Sequence, residues 1–224
     1  MSTPLRSWIR NPLYWAIFLA GLVHCSGAIG MSFFDRAFFI PFTPINLLLM
    51  LLLLILNEPR LKGPFVWGFL VAFAVGMVSE MVGVNTGFLF GNYTYGEVFG
   101  TKMFGVPPLI GINWFCVVYS SYVVVGCLGK HVELGFFFSA LLTAFITTAF
   151  DWIMEPVAME LDFWNWANGL IPLFNYVSWF IISFFVVLLF GLLKLDRNNP
   201  FAPYFLFIQA IFFLFLRIVL AAQA

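Results

Sequence analysis

Carboxylates, amides and aromatic hydroxyls concentrate in two stretches of an otherwise apolar chain, residues 80–114 and 151–156. On a helix, Asp151 and Glu155 are four residues apart, so they project from one face as a pair that can share a proton. Glu80 stands near the end of an apolar run, where an ionised carboxylate is costly and a functional role is the default hypothesis. These three carboxylates are the candidate catalytic groups. A position at a helix end or at the membrane interface is the simpler alternative for each.

Aromatic side chains near the carboxylates are the candidate substrate-binding groups. Tyr93 and Tyr95 alternate as on a short extended segment, so both hydroxyls can face one site. Trp164 and Trp166 either form a wall of π-faces that stabilises a developing cation or belong to the aromatic belt of a membrane interface. The remaining candidates are Asn85, Trp114 and Trp152.

The composition indicates an integral membrane protein. The 224 residues are 63% hydrophobic and 9% charged, whereas roughly a quarter of the residues of a soluble domain are charged. The formal net charge is zero, so no basic field exists to recruit nucleic acid, and that class of partner is excluded. Residues 1–224 are therefore expected to form a single domain embedded in the lipid bilayer.

Seven apolar runs have the length of about 20 residues that a helix needs to cross a bilayer. They predict an all-α polytopic fold, with a structured loop after the third span and an aromatic interfacial segment after the fifth. Pro41 and Pro44 indicate a kinked or partly re-entrant second span, and Pro156 is expected to end the fifth. The predicted spans cover roughly residues 13–34, 37–56, 64–82, 107–128, 134–152, 172–195 and 202–222.

Lysine and arginine in the short connections predict the orientation of these spans. The opposite side to the amino terminus carries only Arg36 and Lys102, so the amino terminus is expected in the cytoplasm and both acidic stretches on the other side. Arg217, inside the last span, is expected to reach the interface or a carboxylate. The cations predicted on the amino-terminal side are Arg6, Arg10, Arg60, Lys62, Lys130, Lys194 and Arg197.

In these motifs the chain resembles the carotenoid biosynthesis protein family of small polytopic membrane proteins, which includes carotenoid 1,2-hydratases. The resemblance implies a bacterial or archaeal cell membrane, a linear carotenoid substrate and other carotenoid enzymes as partners. It is carried by Glu80, Gly83, Thr86, Gly87, Phe90, Gly91, Tyr93, Tyr95, Pro107, Trp114, Asp151, Glu155, Pro156, Trp164 and Trp166.

The resemblance implies a hydro-lyase that adds water across the terminal C1=C2 double bond of a linear carotenoid ψ-end. This reaction needs a proton at C2, a tolerated cation at C1 and one water in a dry pocket. It requires no redox cofactor and no metal, because a carboxyl in apolar surroundings can supply the acid. Asp151 or Glu155 is expected to be that acid, while its partner and Glu80 hold the water. Trp152, Trp164 or Tyr93 is expected to face the cation.

Three other functions fit the same residues. A proton-coupled transporter would use the carboxylates as a relay. A non-catalytic membrane factor of the carotenoid pathway would only bind carotenoid or another enzyme. An intramembrane prenyltransferase would hold magnesium and a diphosphate with acidic motifs, but it also needs cations, and the acidic side offers only Arg36 and Lys102.

Overall fold

The computed structural model describes residues 11–130 and 132–223. Within these ranges, seven helical segments are long and apolar enough to cross a membrane, which confirms the predicted all-α polytopic fold. Two short strands, β1 (Tyr93–Tyr95) and β2 (Trp164–Trp166), pair as an antiparallel ribbon. The helices are α1 (Pro12–Phe33), α2 (Arg36–Phe39), α3 (Thr43–Leu56), α4 (Gly63–Thr86), α5 (Pro108–Leu128), α6 (Phe136–Glu160), α7 (Leu173–Leu192) and α8 (Ala202–Gln223).

The second span is a continuous crossing made of two helices. Helices α2 and α3 are joined by a 3₁₀ turn, Ile40–Phe42, and together form a segment of 21 residues that can span the bilayer. Pro41 lies in the 3₁₀ turn and Pro44 in the first turn of α3, where a missing N–H costs little. The prolines therefore leave a local irregularity without turning the segment back.

Helix α5 occupies the centre of the bundle. It contacts α3, α4, α6, α7 and α8, and its side chains Trp114, Phe115 and Tyr119 are fully buried. The ring of Trp114 stacks on that of Trp179 from α7, with centroids 3.7 Å apart and planes at 6°. The stack fixes α5 against α7 at the end of the bundle where the two strands lie.

Helix α6 continues through Pro156 to Glu160, so the expectation that this proline ends the fifth span was wrong. Proline has no N–H to donate to the carbonyl of Trp152, one turn earlier. Arg217 of α8 supplies the donor, since its Nη1 lies 3.3 Å from Trp152 O. Its guanidinium also sits 4.4 Å from the centroid of the Trp152 ring. A neighbouring helix thus replaces the missing hydrogen bond. Arg217 contacts a carbonyl and a ring, whereas the interface or a carboxylate was expected.

Replacing Arg217 with Leu is expected to destabilise the protein by about 1–2 kcal/mol, because a charge-assisted hydrogen bond and a cation–π contact are lost. The measurement is the thermal midpoint of the purified protein in detergent. In a Pro156→Ala background the new N–H can bond to the carbonyl of Trp152, so the same substitution should cost less. Equal costs in the two backgrounds would contradict this account of the proline.

Lysine and arginine residues are more numerous at one end of the bundle than at the other. The connections α3–α4, α5–α6 and α7–α8 carry Arg60, Lys62, Lys130, Lys194 and Arg197 at one end. The ribbon, the carboxylate-bearing ends of α4 and α6, and both Arg36 and Lys102 lie at the other end. The residues Arg6 and Arg10 lie outside the described ranges, and the cytoplasmic amino terminus stays a prediction.

Candidate functional site

Glu80 projects from α4 into the bundle and is 4% exposed. Its Oε2 accepts hydrogen bonds from the hydroxyls of Tyr95, at 2.7 Å, and Tyr93. Its Oε1 accepts one from Trp114 Nε1 at 2.9 Å. Both oxygens of the carboxyl are therefore surrounded by donors from the ribbon and from α5.

Two glycines on the same face of α4 make room for these donors. A Cβ on Gly76 would lie 2.5 Å from Trp114 Cγ, and a Cβ on Gly83 would lie 3.0 Å from the hydroxyl of Tyr93. Real Cβ atoms do not approach an indole ring as closely as the first distance. The indole and the phenol can reach Glu80 because these positions lack side chains.

The ribbon brings four aromatic side chains to one place. Tyr93 pairs with Trp166 and Tyr95 with Trp164. Because side chains alternate between the two faces of a strand, all four point to the same face of the ribbon. The rings of Tyr93 and Trp166 lie 4.8 Å apart. The predicted extended segment at Tyr93–Tyr95 is confirmed, and its partner strand is the aromatic segment that follows α6.

Glu155 is held by the second strand in the way that Glu80 is held by the first. Its Oε2 accepts from Trp164 Nε1 at 2.9 Å and from Trp166 Nε1 at 2.7 Å. Asn175 Nδ2 lies 3.3 Å from Glu155 Oε1 and 2.9 Å from Asp151 Oδ2, so one amide bridges both carboxyls. Both indoles are buried and directed inward. They are therefore part of the carboxylate cluster and not of an interfacial belt.

The two tyrosines stay protonated as donors to Glu80. Burial, followed by the charge of Glu80, raises the pKa of Tyr93 and of Tyr95 well above the ordinary phenol value. Both causes disfavour a second negative charge beside the carboxyl. The phenols therefore keep their protons throughout the physiological range.

A cavity of about 20 Å³ lies between Glu80 and Glu155. One water molecule needs roughly 10–15 Å³ of such volume and several polar partners, so the cavity has room for about one water. Polar and aromatic groups from both strands, α5 and α7 surround it. The lining consists of Glu80, Phe90, Tyr93, Tyr95, Ile110, Asn113, Met154, Glu155, Trp164, Trp166, Asn175 and Trp179.

A much larger apolar groove of about 470 Å³ meets this cavity. Its walls come mainly from α1, the second span and α8, and its volume falls in the range of roughly 300–1,000 Å³ found for small-molecule sites. Leu22, Phe42 and Ile45 line the groove and are at least half exposed on the outer surface of the bundle. The groove thus opens toward lipid. Residues shared by the groove and the small cavity are Ile110, Asn113, Met154 and Trp164.

Four predicted site residues are outside the lining of the small cavity, and one of them, Trp114, still donates to Glu80. Trp152 is 51% exposed on the outside of α6, because it is rotated by about 100° from Asp151 on the helix. Asn85 is exposed and donates to the carbonyls of Met81 and Phe104, so it anchors a loop. Asp151 is buried behind Asn175 and outside the cavity lining. Of the three aromatic side chains expected to face the cation, Tyr93 and Trp164 line the cavity and Trp152 does not.

The structure adds Asn175, Asn113 and Trp179 to the predicted residues. Asn175, like Glu80, is a polar side chain within an apolar run, and it follows a proline-containing connection. Asn113 stands at the junction of groove and cavity. Nothing in the sequence distinguishes Trp179, whose place follows only from its stacking on Trp114.

The sequence pattern of the family described as carotenoid biosynthesis protein matches residues 42–224, which is more than half of the chain. The chain belongs to this family. The match includes both strands and every carboxylate of the site. Helix α1, which forms part of the groove wall, lies outside the matched residues. The resemblance predicted from the paired motifs is confirmed, and the protein is a membrane protein of the carotenoid biosynthesis family.

A curated relative from the archaeon Haloarcula japonica is named bisanhydrobacterioruberin hydratase. It is 29% identical to this chain over 133 residues, which cover 54% of the chain and 45% of the relative. The matched part thus spans less than half of that relative. No solved structure matches the chain.

Proposed function

We propose that this protein is a carotenoid hydratase, which adds water across the terminal C1=C2 double bond of a linear ψ-end carotenoid. The observation that carries the proposal is the cavity with room for one water between Glu80 and Glu155, which shares four lining residues with an apolar groove. A hydrocarbon end can enter such a groove from the lipid while a single water is retained at its inner end. The family supports a carotenoid substrate, and the name of the archaeal relative supports hydration as the type of reaction.

The pair formed by Glu155 and Asp151 is suited to supply the proton. The side-chain amide of Asn175 bridges the two carboxyls, and two adjacent buried carboxyls do not readily ionise together because their charges repel. Glu155 borders the cavity and Asp151 does not. In the proposal Glu155 therefore protonates C2, and Asp151 acts through it as a positioning residue.

Glu80 is suited to receive the proton of the water. The hydrogen bonds that Glu80 accepts from Tyr95 and Trp114 stabilise its ionised carboxyl. Glu80 also borders the same cavity as Glu155. As C2 takes the proton of Glu155, the positive charge develops at C1. The oxygen of the water then forms a bond to C1 and its proton passes to Glu80. Proton return from Glu80 to Glu155 through the next water restores both groups, so only water and alkene are consumed.

Aromatic faces at the junction are suited to stabilise the cation. Trp164 borders both the groove and the cavity, which is where C1 lies when the chain end meets the water. A cation over an aromatic face gains roughly 2 kcal/mol or more in a dry site. The indole N–H of Trp164 is engaged by Glu155, which holds the ring in place.

The test is expression in a bacterial host that accumulates lycopene, followed by chromatography and mass analysis of the extracted pigment. We expect a product heavier by one water, and in H₂¹⁸O the added oxygen should carry the heavy isotope. A second culture that accumulates a longer linear carotenoid controls for substrate length. Failure to form a hydrated product from either pigment, with inserted protein at normal level, would overturn the proposal.

A further inference from the structure

A second cavity, of about 560 Å³, opens at the end of the bundle opposite Glu80, Asp151 and Glu155. It lies between the connections α3–α4 and α7–α8, and Pro64 and Phe65 at the start of α4 complete its lining. Its floor includes the apolar side chains Phe65 and Leu195, and charged groups surround its mouth. The charged lining consists of Glu58, Arg60, Lys62, Lys194, Asp196 and Arg197.

The two carboxylates of this cavity are already engaged. Glu58 accepts hydrogen bonds from Tyr119 and from Asn199, the latter at 3.2 Å. Asp196 forms an ion pair with Arg60 at 3.6 Å. Among residues 11–130 and 132–223, no carboxylate lies within ion-pair distance of the other three cations, Lys62, Lys194 and Arg197. The cavity therefore has a surplus of positive charge.

The side chain of Arg197, which lines the cavity, is held in place by contacts with α5. Its guanidinium lies 4.0 Å from the centroid of the Tyr122 ring. Its Cβ packs against Gly126, where an added Cβ would be 2.6 Å away. A guanidinium held in this way loses little entropy on binding, and its planar donors match the oxygens of a phosphate.

Lys194 occupies a position where glycine is the usual residue. Its φ is +54°, and the bonds from Lys194 N to Gly191 O and from Leu195 N to Phe190 O form the motif that commonly ends a helix at glycine. A lysine in this left-handed conformation is strained. The strained residue is the one that adds an ammonium to the lining, which indicates that the side chain has a use.

We propose that this cavity binds the phosphate group of an anionic ligand, either an anionic phospholipid headgroup or a soluble phosphate. Lys62, Lys194 and Arg197 supply charge-assisted donors. The apolar floor formed by Phe65 and Leu195 suits the first carbons of a lipid chain. This site is separate from the carboxylate cluster and does not depend on the hydratase proposal.

The experiment compares the thermal midpoint of the purified full chain in detergent with added phosphatidylglycerol, phosphatidylcholine or inorganic diphosphate. A ligand that binds the folded protein raises the midpoint in proportion to its occupancy. We expect phosphatidylglycerol to raise it more than phosphatidylcholine does. A rise with diphosphate alone would assign the site to a soluble phosphate and would support the same phosphate chemistry.

Lys194→Gly is the decisive variant. It removes the strain, so the ligand-free protein should be at least as stable as the parent, yet the variant should bind the anion about 10-fold more weakly. Arg197→Gln should weaken binding similarly. Lys130→Ala is the matched control, since Lys130 is exposed at the same end of the bundle outside the cavity lining. No rise with any of the three additives, or equal loss in Lys130→Ala and Lys194→Gly, would overturn the proposal.

Discussion

Glu155→Gln is expected to abolish the hydrated product in the lycopene host, with activity lower by roughly 10²–10⁴-fold, the range for loss of a general acid. The glutamine keeps the length of the side chain and can still accept from the indoles of Trp164 and Trp166, but its amide is too weak an acid to protonate C2. The measurement is the ratio of hydrated to parent pigment per unit of inserted protein.

The companion variant Asp151→Asn distinguishes the two members of the carboxyl pair. Asp151 lies outside the cavity lining and its Oδ1 has no hydrogen-bond partner in the described part of the chain. An amide at this position keeps the shape of the side chain and removes only its charge coupling to Glu155. We therefore expect activity to fall about 10-fold, which corresponds to an activation barrier higher by roughly 1.4 kcal/mol. If Asp151→Asn abolished the product while Glu155→Gln retained it, the assignment of the acid to Glu155 would be wrong.

The carboxylate positions could be predicted from the sequence because each carries a local signal. Glu80 interrupts an apolar run, and the spacing of Asp151 and Glu155 puts both on one helix face whatever the tertiary structure. Alternation likewise predicted that Tyr93 and Tyr95 share a direction. These signals depend on residues within two turns of one another, and each of them holds in the structure.

The hydrogen-bond partners of the carboxylates could not be predicted in the same way. The pairing of β1 with β2 joins segments separated by three connections and two spans, and an amphipathic indole is equally suited to an interface or to a buried carboxyl. Only the tertiary pairing directs Trp164 toward Glu155. Pro156 failed as a helix stop for a similar reason, since the donor that replaces its N–H comes from α8.

The loop after the third span and the aromatic segment after the fifth have the same arrangement in the structure. The order helix, strand, helix occurs as α4, β1, α5 and again as α6, β2, α7. In each unit the first helix carries a glutamate, and the following strand holds it with two aromatic donors. The identities differ, with phenols around Glu80 and indoles around Glu155. In the proposed mechanism the two carboxyls also take different roles, with Glu155 as the acid and Glu80 as the base.

Tyr93→Phe combined with Tyr95→Phe is expected to lower hydration by roughly 10²-fold or more while the protein stays folded. Each hydroxyl donates to Glu80 Oε2, and a hydrogen bond to a charged group contributes about 1.5–3 kcal/mol. The rings remain, so their packing against Trp164 and Trp166 is kept. Only Trp114 of the present donors would still stabilise the carboxylate that receives the proton of the water.

The pH dependence of the double variant separates this electrostatic role from a structural one. Donors to a carboxylate favour its ionised form, so their removal lets Glu80 bind a proton more readily. Glu80 must be ionised to accept the proton of the water, and activity should therefore fall off at a higher pH on the acid side than in the parent. Tyr204→Phe is the matched control, because Tyr204 is an exposed tyrosine of α8 that should leave the profile unchanged. A uniform loss at every pH would mean that the hydroxyls position the ribbon without tuning Glu80, and full activity in the double variant would remove Glu80 from the mechanism as its base.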